Sequence, residues 1–438
     1  MKSKINIKKT IKSFNKDLTI EGDKSLSIRW ALLASQALGK SSAKNILKSE
    51  DVISTLNCLK KLGVKVILKK DKCTIYGLGV NGYDYKKNII LNAGNSGTLG
   101  RLIIGLLIHS KNKIKIIGDK SLSKRDFLRV LNPLKKFGAR FNSNDGKLPI
   151  IITGTANPKP IKYIEKKGSA QCKTAVMFAS INTPGKTLIK AKKSRNHTEL
   201  MFKYLGLPIK IISRKKYDLI QVSKVKKIRA FNYKIPSDIS SCSFFIVLTI
   251  LSKNSKLTLK NVNINPSRTG ILKILKLMGI KVYQKNIKYI KGEKNADLVI
   301  KSTDKILPIN CPSSLNSSAI DEFLVIFLLA AKANGVSFFK NLSELNQKES
   351  PRLKWGSRIL NLMGVKTITT NDSIKIYGNP NLVVNKKIVI KNYLKDHRVF
   401  MTSVVAALTF GGRWTIHDKD SIKTSFPSFL KIIKDIKK

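Results

Sequence analysis

The stretch GDKSLS occurs twice in this chain, at 22–27 and at 118–123, and an arginine follows each copy at the same offset, Arg29 and Arg125. Lysine, serine and arginine at the start of a helix suit one kind of ligand. Backbone N–H groups and the positive end of the helix dipole face an anion, and side-chain cations close around it. Taken singly, Lys24 or Arg29 reads as a surface charge, and Asp238 or Asp321 as an N-cap. Nucleophile and metal motifs are missing. The five cysteines (Cys58, Cys73, Cys172, Cys242, Cys311) are scattered, with no CxxC and no His/Cys pair at zinc spacing. They read as reduced thiols of a cytoplasmic protein.

The elements that must position these residues follow a rhythm. A helical stretch, then Leu, Met or Phe, then glycine, then an apolar residue opening a strand, recurs as KKLGVKV, KKFGARF, KYLGLPI, KLMGIKV and NLMGVKT. The glycines are 63, 138, 206, 279 and 364, separated by 75, 68, 73 and 85 residues. Glycine at that point fits the left-handed residue that ends a helix. A sixth helix, PSFLKIIKDIKK (427–438), ends with the chain. Between these lie six polar starts, each followed by a nearly all-apolar helix, at 23–38, 94–110, 168–181, 236–251, 317–333 and 394–410. Their markers Lys24, Asn95, Ser169, Asp238, Asp321 and Asp396 step by 71, 74, 69, 83 and 75. Helices apolar all round are buried, so this set is central and the first set peripheral. The pattern predicts six copies of a unit of about 73 residues, a sixth of the 438, each with two helices and short strands such as KVILKK and CTIYGL. Six units of this size suit two domains of three, with a break near 230–236. The first GDKSLS opens a buried helix, and the second precedes a peripheral one.

Composition bounds the partners. The net charge is +58, from 84 Lys and Arg against 26 Asp and Glu. That favours anionic partners. The lysines are spread along the chain among many Ile and Asn, as a bias towards AT-rich codons would give. A nucleic-acid binder clusters charge on one face or tail, and aromatic content is only 7%, so no specific nucleic-acid partner is expected. The basic N-terminus lacks the apolar core of a secretory signal. The longest apolar runs, such as FLVIFLLAA, are too short to span a bilayer, so no membrane partner is expected.

GDKSLSIR, GNSGTLGR, GDKSLSKRDFLRVLNPL, GSAQCKTA, SRNHTE, SDISSCSFF, NPSRTGI, AIDEF, QKESPR, DHRVFM and KTSFP occur in this order. Together they resemble the EPSP synthase (5-enolpyruvylshikimate-3-phosphate synthase) family, over nearly the whole chain. The resemblance implies a two-domain inside-out α/β barrel. Each domain has three βαβαββ units, and the active site lies in the interdomain cleft. The domains are expected at 21–235 and at 1–20 plus 236–438. The implied reaction moves the enolpyruvyl group of phosphoenolpyruvate (PEP) to the 5-hydroxyl of shikimate 3-phosphate and releases phosphate, by addition then elimination. It requires no cofactor, no metal and no covalent enzyme intermediate. A monomer is expected, closing on its two anionic substrates.

The resemblance also assigns residues. Lys24 matches the family's central lysine, which bridges both substrates. Ser25 and Arg29 match the residues that hold the shikimate carboxylate. Ser169, Gln171 and Ser194 match the polar wall around the shikimate phosphate and ring, with Arg195 an extra cation. Asn95, Gly97, Arg101 and Arg125 match the PEP-phosphate loop, and Gln171 serves PEP as well. Asp321 is the candidate base for the 5-hydroxyl. Lys348 and Glu349 match the KE pair, with Glu349 the candidate for proton transfer at the PEP methylene. Arg352 and Arg398 match the pair that binds the PEP carboxylate, with Asp396 and His397 positioning Arg398. Lys423 stands near the family's last cleft lysine.

Some positions depart from the family's pattern. Ala170 replaces a serine, Glu21 and Asp126 replace prolines, and Pro351 replaces an aspartate beside Arg352. A related UDP-N-acetylglucosamine enolpyruvyl transferase would carry Lys-Asn near the start and a reactive cysteine on a mobile loop. The DKSLSKR loop has no cysteine. An RNA 3′-terminal phosphate cyclase, which shares a related unit, would need a catalytic histidine that is not found here.

Overall fold

The five glycines that the rhythm places after helices are all left-handed: φ is 86° at Gly63, 108° at Gly138, 66° at Gly206, 77° at Gly279 and 91° at Gly364. Around Gly63 the caps close in the Schellman manner, Gly63 N–H on the Lys60 carbonyl and Val64 N–H on that of Leu59. The same pair of bonds recurs around Gly206, Gly279 and Gly364. No atom would lie within 4 Å of a Cβ added at Gly364, so Gly364→Ala should cost only the backbone term of about 1 kcal/mol. At Gly105 an added Cβ would fall on the carbonyl oxygen of Ala175. There, two buried helices meet backbone to backbone. Gly105→Ala should therefore cost at least about 2–3 kcal/mol, and urea unfolding of the two variants side by side checks the difference.

A computed structural model of the chain describes residues 3–70 and 72–437. Among them are α1 (Lys24–Ser35), α2 (Glu50–Lys61), α3 (Gly97–Leu107), α4 (Leu128–Lys135), α5 (Ala170–Ser180), α6 (His197–Tyr204), α7 (Ile239–Leu251), α8 (Gly270–Leu277), α9 (Asn316–Ala319), α10 (Phe323–Lys332), α11 (Arg352–Leu362), α12 (His397–Phe410) and α13 (Phe429–Ile436). No helix among the described residues is long and apolar enough to cross a membrane.

Six small sheets accompany them. In one, Ile89–Asn92 runs parallel to Ile114–Ile117, and the hairpin of Arg140–Asn144 and Lys147–Thr153 adds antiparallel strands. A parallel pair needs a crossover, and α3 supplies it. The plan repeats with Lys162–Glu165, α5, Lys186–Lys192 and the hairpin of Ile209–Ser213 and Tyr217–Ser223. Elsewhere a distant piece of chain supplies a strand. Asn232–Lys234 pairs with Leu38–Lys44, Asn15–Leu18 with Lys256–Asn263, and Lys4–Ile7 with Arg413–His417. In the fifth sheet the opening strand shrinks to one bridge, Asn310 to Phe338.

The chain forms two compact units. The first unit draws its described residues from Met1–Glu21, Pro236–Tyr289 and Lys294–Lys438, the second unit from Gly22–Ile235 and Ile290–Glu293. In the second, α1, α3 and α5 are buried nearly all round, and three sheets lie outside them with one face solvated. Lys186–Lys192 alternates exposed and buried along its length. In the first, α7, α10 and α12 hold the centre. Phe323, Phe327 and Phe339 pack there with ring centroids 5.1–6.0 Å apart.

One expectation needs correction. The helix expected over 317–333 breaks at 320–322 into α9 and α10. Asp321 therefore lies in a turn, and Glu322, not Asp321, occupies the N-cap position of α10. The second GDKSLS precedes a peripheral helix as expected, α4 from Leu128, and leads to it through a single 3-10 turn, Leu122–Lys124.

Candidate active site

The two GDKSLS copies share one capped turn. Asp23 Oδ1 accepts the Leu26 N–H at 2.8 Å, and Asp119 Oδ1 accepts the Leu122 N–H at 2.7 Å. In both, the backbone N–H of the last serine bonds the aspartate carbonyl. The copies then part. IRWALLAS is apolar and continues as α1. KRDF is not, and the chain re-enters a helix only at Leu128, whose N–H Asp126 Oδ1 accepts at 2.6 Å.

In the second unit, α1, α3 and α5 start side by side. Lys24, the first residue of α1, places Nζ 2.9 Å from Asp51 Oδ2 at the start of α2. Arg29 is buried. Its Nε donates to Thr198 Oγ1 at 2.9 Å, its Nη2 to Thr174 Oγ1 at 3.4 Å and its Nη1 to the Ser25 carbonyl at 3.1 Å. Ser25 is half-buried in the first turn. Arg101 Nη1 donates to Gln171 Oε1 at 2.7 Å, and Gln171 Nε2 donates to Thr98 Oγ1 at 3.0 Å. Ser169 caps α5 by accepting the Cys172 N–H at 3.2 Å. Asn95 joins Asp119, to which its Nδ2 donates at 2.7 Å, to Arg125, whose Nη2 donates to Asn95 Oδ1 at 3.2 Å. Ser194 and Arg195 lie in the loop before α6. The Ser194 hydroxyl oxygen is buried and has no hydrogen-bond partner among the described residues. His197 opens α6, with Nδ1 2.7 Å from Glu293 Oε1.

Gly97 opens α3 behind the Ser96 cap. A Cβ there would lie 3.1 Å from Arg125 Nη1 and 3.3 Å from Arg101 Nη1. Two guanidinium groups thus converge on one bare backbone point at a helix start, as an anion site requires. Burial lowers the Arg101 pKa to about 10, which leaves it charged at neutral pH. On the family resemblance's assignment of this point to the PEP phosphate, Gly97→Ala should fold normally but push both groups outward, raising KM for PEP about tenfold and leaving KM for shikimate 3-phosphate within about twofold. Steady-state kinetics in both substrates reads the difference.

The first unit builds a different cluster, on Asp396. This carboxylate is fully buried. It accepts Arg352 Nε at 2.9 Å, Arg352 Nη2 at 3.2 Å, Ser350 Oγ at 2.9 Å and the Arg398 N–H at 2.9 Å. Burial alone would raise its pKa, but the charge and hydrogen bond of Arg352, with the nearby His397, hold it below the usual carboxylate range. Burial would likewise lower Arg352, but Asp396, Glu349 and Asp321 around it raise it instead. Glu349 bonds Arg352 Nη2 closely. Asp321 Oδ1 lies 3.3 Å from Arg352 Nη1 and 3.6 Å from Lys348 Nζ. The Asp321 carbonyl accepts Arg398 Nη1 at 2.6 Å. Asp321, Lys348, Glu349, Arg352 and Arg398 are thus one set. Asp396 meets Arg398 only at its backbone, and its carboxylate grips Arg352. Pro351 occupies the N-cap position of α11, leaving Arg352 to be held by the three carboxylates. Lys423 stands apart, more than half exposed and 3.0 Å from Asp420.

Sequence reasoning missed the residues behind these groups: Asp51, Thr174, Thr198, Asp119 and Ser350. Asp51 had a signal. Only 26 residues are acidic, and SEDV reads as a helix start whose acids complement the dipole. The threonines had none, because their partner comes from another helix. All five cysteines are buried, and no disulfide joins them. Burial pushes Cys58 and Cys73 up to about 12 and Cys311 to about 11, and raises Cys172, so none of these four offers a ready thiolate.

Residues 8–433 match the family model described as EPSP synthase (3-phosphoshikimate 1-carboxyvinyltransferase). A curated 3-phosphoshikimate 1-carboxyvinyltransferase of Ruthia magnifica subsp. Calyptogena magnifica is 40% identical over 99% of this chain and 98% of its own length. That of Petrotoga mobilis is 35% identical, covering 97% and 98%. The solved EPSP synthase of Acinetobacter baumannii superposes with a TM-score of 0.86 at 32% identity, over 98% of this chain and 97% of that one. The enolpyruvyl transferase NikO of Streptomyces tendae shares the fold at a TM-score of 0.78 and 12% identity, covering 100% and 98%. A match running almost from end to end, on relatives of nearly equal length, leaves one assignment: the chain belongs to the EPSP synthase family.

Proposed function

We infer that this chain transfers the enolpyruvyl group of PEP to the 5-hydroxyl of shikimate 3-phosphate and releases inorganic phosphate, a step of aromatic amino acid biosynthesis. The observation that carries the reading is the convergence of Arg101 and Arg125 on Gly97 at the start of α3, a cradle for a phosphate group. In this reading the PEP phosphate takes those two arginines, Asn95 and Gln171, and the PEP carboxylate takes Arg352 and Arg398. Shikimate 3-phosphate takes Ser25 and Arg29 with its carboxylate and Ser169, Gln171, Ser194 and Arg195 with its phosphate and ring. Lys348 and Asp321 serve its hydroxyls. Lys24 serves both substrates.

Asp321 removes the proton from the 5-hydroxyl as that oxygen attacks C2 of PEP. Glu349 protonates the methylene carbon, which completes a tetrahedral adduct. Glu349, now a carboxylate, takes back a proton from the new methyl group as phosphate leaves, which re-forms the double bond as the enol ether of the product. Cations at fixed helix starts are pre-oriented for the charge that grows on the leaving phosphate, and carboxylates set among cations can be tuned to opposite roles. The chain works as a monomer in the cytoplasm.

The test is acceptor choice. Purified protein given PEP with either shikimate 3-phosphate or UDP-N-acetylglucosamine should yield a carboxyvinyl product, identified by mass spectrometry, from the first alone. Product from the sugar nucleotide would move the assignment to the related transferase.

A further inference from the structure

Both arginines assigned to the PEP carboxylate rest on one short turn. Arg352 Nη1 lies 3.3 Å from Asp321 Oδ1, and Arg398 Nη1 donates to the Asp321 carbonyl at 2.6 Å. Whatever fixes residues 321–322 therefore helps to aim both guanidinium groups, that of Arg352 together with Asp396 and Glu349. The next residue, Glu322, is 1% exposed. It occupies the N-cap position of α10, but its side chain caps nothing. Instead Glu322 Oε1 accepts the Ser240 hydroxyl, in the first turn of α7. Ser240 Oγ in turn accepts Arg268 Nη2 at 2.8 Å, and the same Nη2 donates to Asp238 Oδ1 at 3.1 Å. Ser240 and Arg268 are each 2% exposed.

Such a cluster is costly to build. Burying two carboxylates and a guanidinium forfeits hydration that their mutual attraction only partly returns, and capping α7 needs Asp238 alone. The arrangement also repeats one unit along the chain. Arg268, two residues before α8, joins the start of α7 (Asp238) to that of α10 (Glu322, through Ser240). Arg352, at the start of α11, joins the α10 entry (Asp321) to that of α12 (Asp396). The two arrangements share the Asp321–Glu322 turn, so the inner one braces the outer one.

We propose that Arg268, Ser240 and Glu322 are positioning residues that lock the Asp321–Glu322 turn, and so hold Arg352 and Arg398 in register for the carboxylate of PEP. The proposal rests on the assignment of those two arginines to PEP under the proposed function. The three residues bind no substrate and act through the turn. A part that only stabilised the fold would affect both substrates alike; this one acts most on PEP, whose carboxylate both arginines hold, and on kcat through Asp321, while shikimate 3-phosphate keeps the contacts assigned to its carboxylate and phosphate in the second unit.

Ser240→Ala, Ser240→Thr and Arg268→Lys in the full chain test it, with kcat, both KM values and thermal midpoints measured beside wild type. Ser240→Ala should raise KM for PEP roughly five- to tenfold, lower kcat because Asp321 shares the turn, and raise KM for shikimate 3-phosphate less than about twofold. Ser240→Thr, which keeps the hydroxyl, should restore KM for PEP to near wild type. Arg268→Lys loses the guanidinium fork, should show the same selective rise, and serves alone if Ser240→Ala does not fold. Equal rises in both KM values, or a KM for PEP within about twofold of wild type in a variant of lowered thermal midpoint, would overturn the proposal. A folded wild-type chain without turnover would overturn the underlying reading and the proposal with it.

Discussion

Lys24→Met should remove at least about a thousandfold of turnover from a chain that still folds, equivalent to about 4 kcal/mol of transition-state stabilisation. Folding should survive because the turn is held by Asp23, not by the lysine side chain. Methionine keeps the unbranched stem and loses only the ammonium. The lost ion pair joins a Lys24 side chain 20% exposed to an Asp51 side chain 7% exposed, so the stability cost should be modest, about 1–2 kcal/mol. The catalytic cost is large because both substrates are anions and further charge develops on the leaving phosphate. Lys24→Arg should recover little, since a planar fork does not replace a compact ammonium. Initial rates of phosphate release, with circular dichroism as the folding control, decide it. Turnover within about tenfold of wild type would remove Lys24 from the reaction.

Asp396→Asn should damage both stability and activity. The carboxylate accepts four hydrogen bonds within the fold, and an amide can reproduce only some of them. Its NH2 would face Arg352 in either orientation, with the Ser350 hydroxyl in one and the Arg398 N–H in the other. Breaking one partner of a buried pair costs about 3–5 kcal/mol, or a thermal midpoint lower by roughly 10 °C for a unit of this size. Activity should fall at least about a hundredfold because Arg352 loses its anchor. The loss should also depend on pH. The folded carboxyl titrates below the ordinary value of 3.8, so its stabilisation is fully present above that value and is lost as pH falls through the folded pKa. The stability gap between wild type and variant in urea should therefore be constant from neutrality down to about pH 5 and narrow below about pH 4. A gap unchanged at pH 3 would show that the carboxylate charge contributes nothing.

Much of the frame was legible in the sequence because helix ends write themselves locally. A glycine after a helix has one geometric reason to be there, and all five landmark glycines take the left-handed conformation. Five of the six buried helices are preceded by Asp or Ser caps whose side chains accept an N–H of the first turn. Strand exchange was not legible. Nothing local in Asn15–Leu18 or Asn232–Lys234 says that it pairs with a strand 190 or more residues away. The break at 320–322 was hidden as well, because SSAIDEFLVIF carries no proline or glycine to mark it.

The site divides in the same way. Cations at helix starts could be found from spacing together with the family's motifs, since both are properties of short stretches. Their partners could not, because Arg29 is oriented by threonines of α5 and α6 and Arg352 by an aspartate 44 residues on. The repeated GDKSLS marks the limit of a local signal. It builds one capped turn twice, and only the residues after it, IRWA in one copy and KRDF in the other, decide whether a helix continues. The +58 charge has a plain placement: lysines fill the solvated faces of the outer sheets, as Lys186, Lys190 and Lys192 do on one strand.

The most direct test of enolpyruvyl transfer is phosphate release by the purified chain. PEP and shikimate 3-phosphate are supplied together, and each alone as control. Release that requires both substrates and matches consumption of shikimate 3-phosphate one for one is the predicted result. Release from PEP alone, or none from a folded chain given both, would contradict the account.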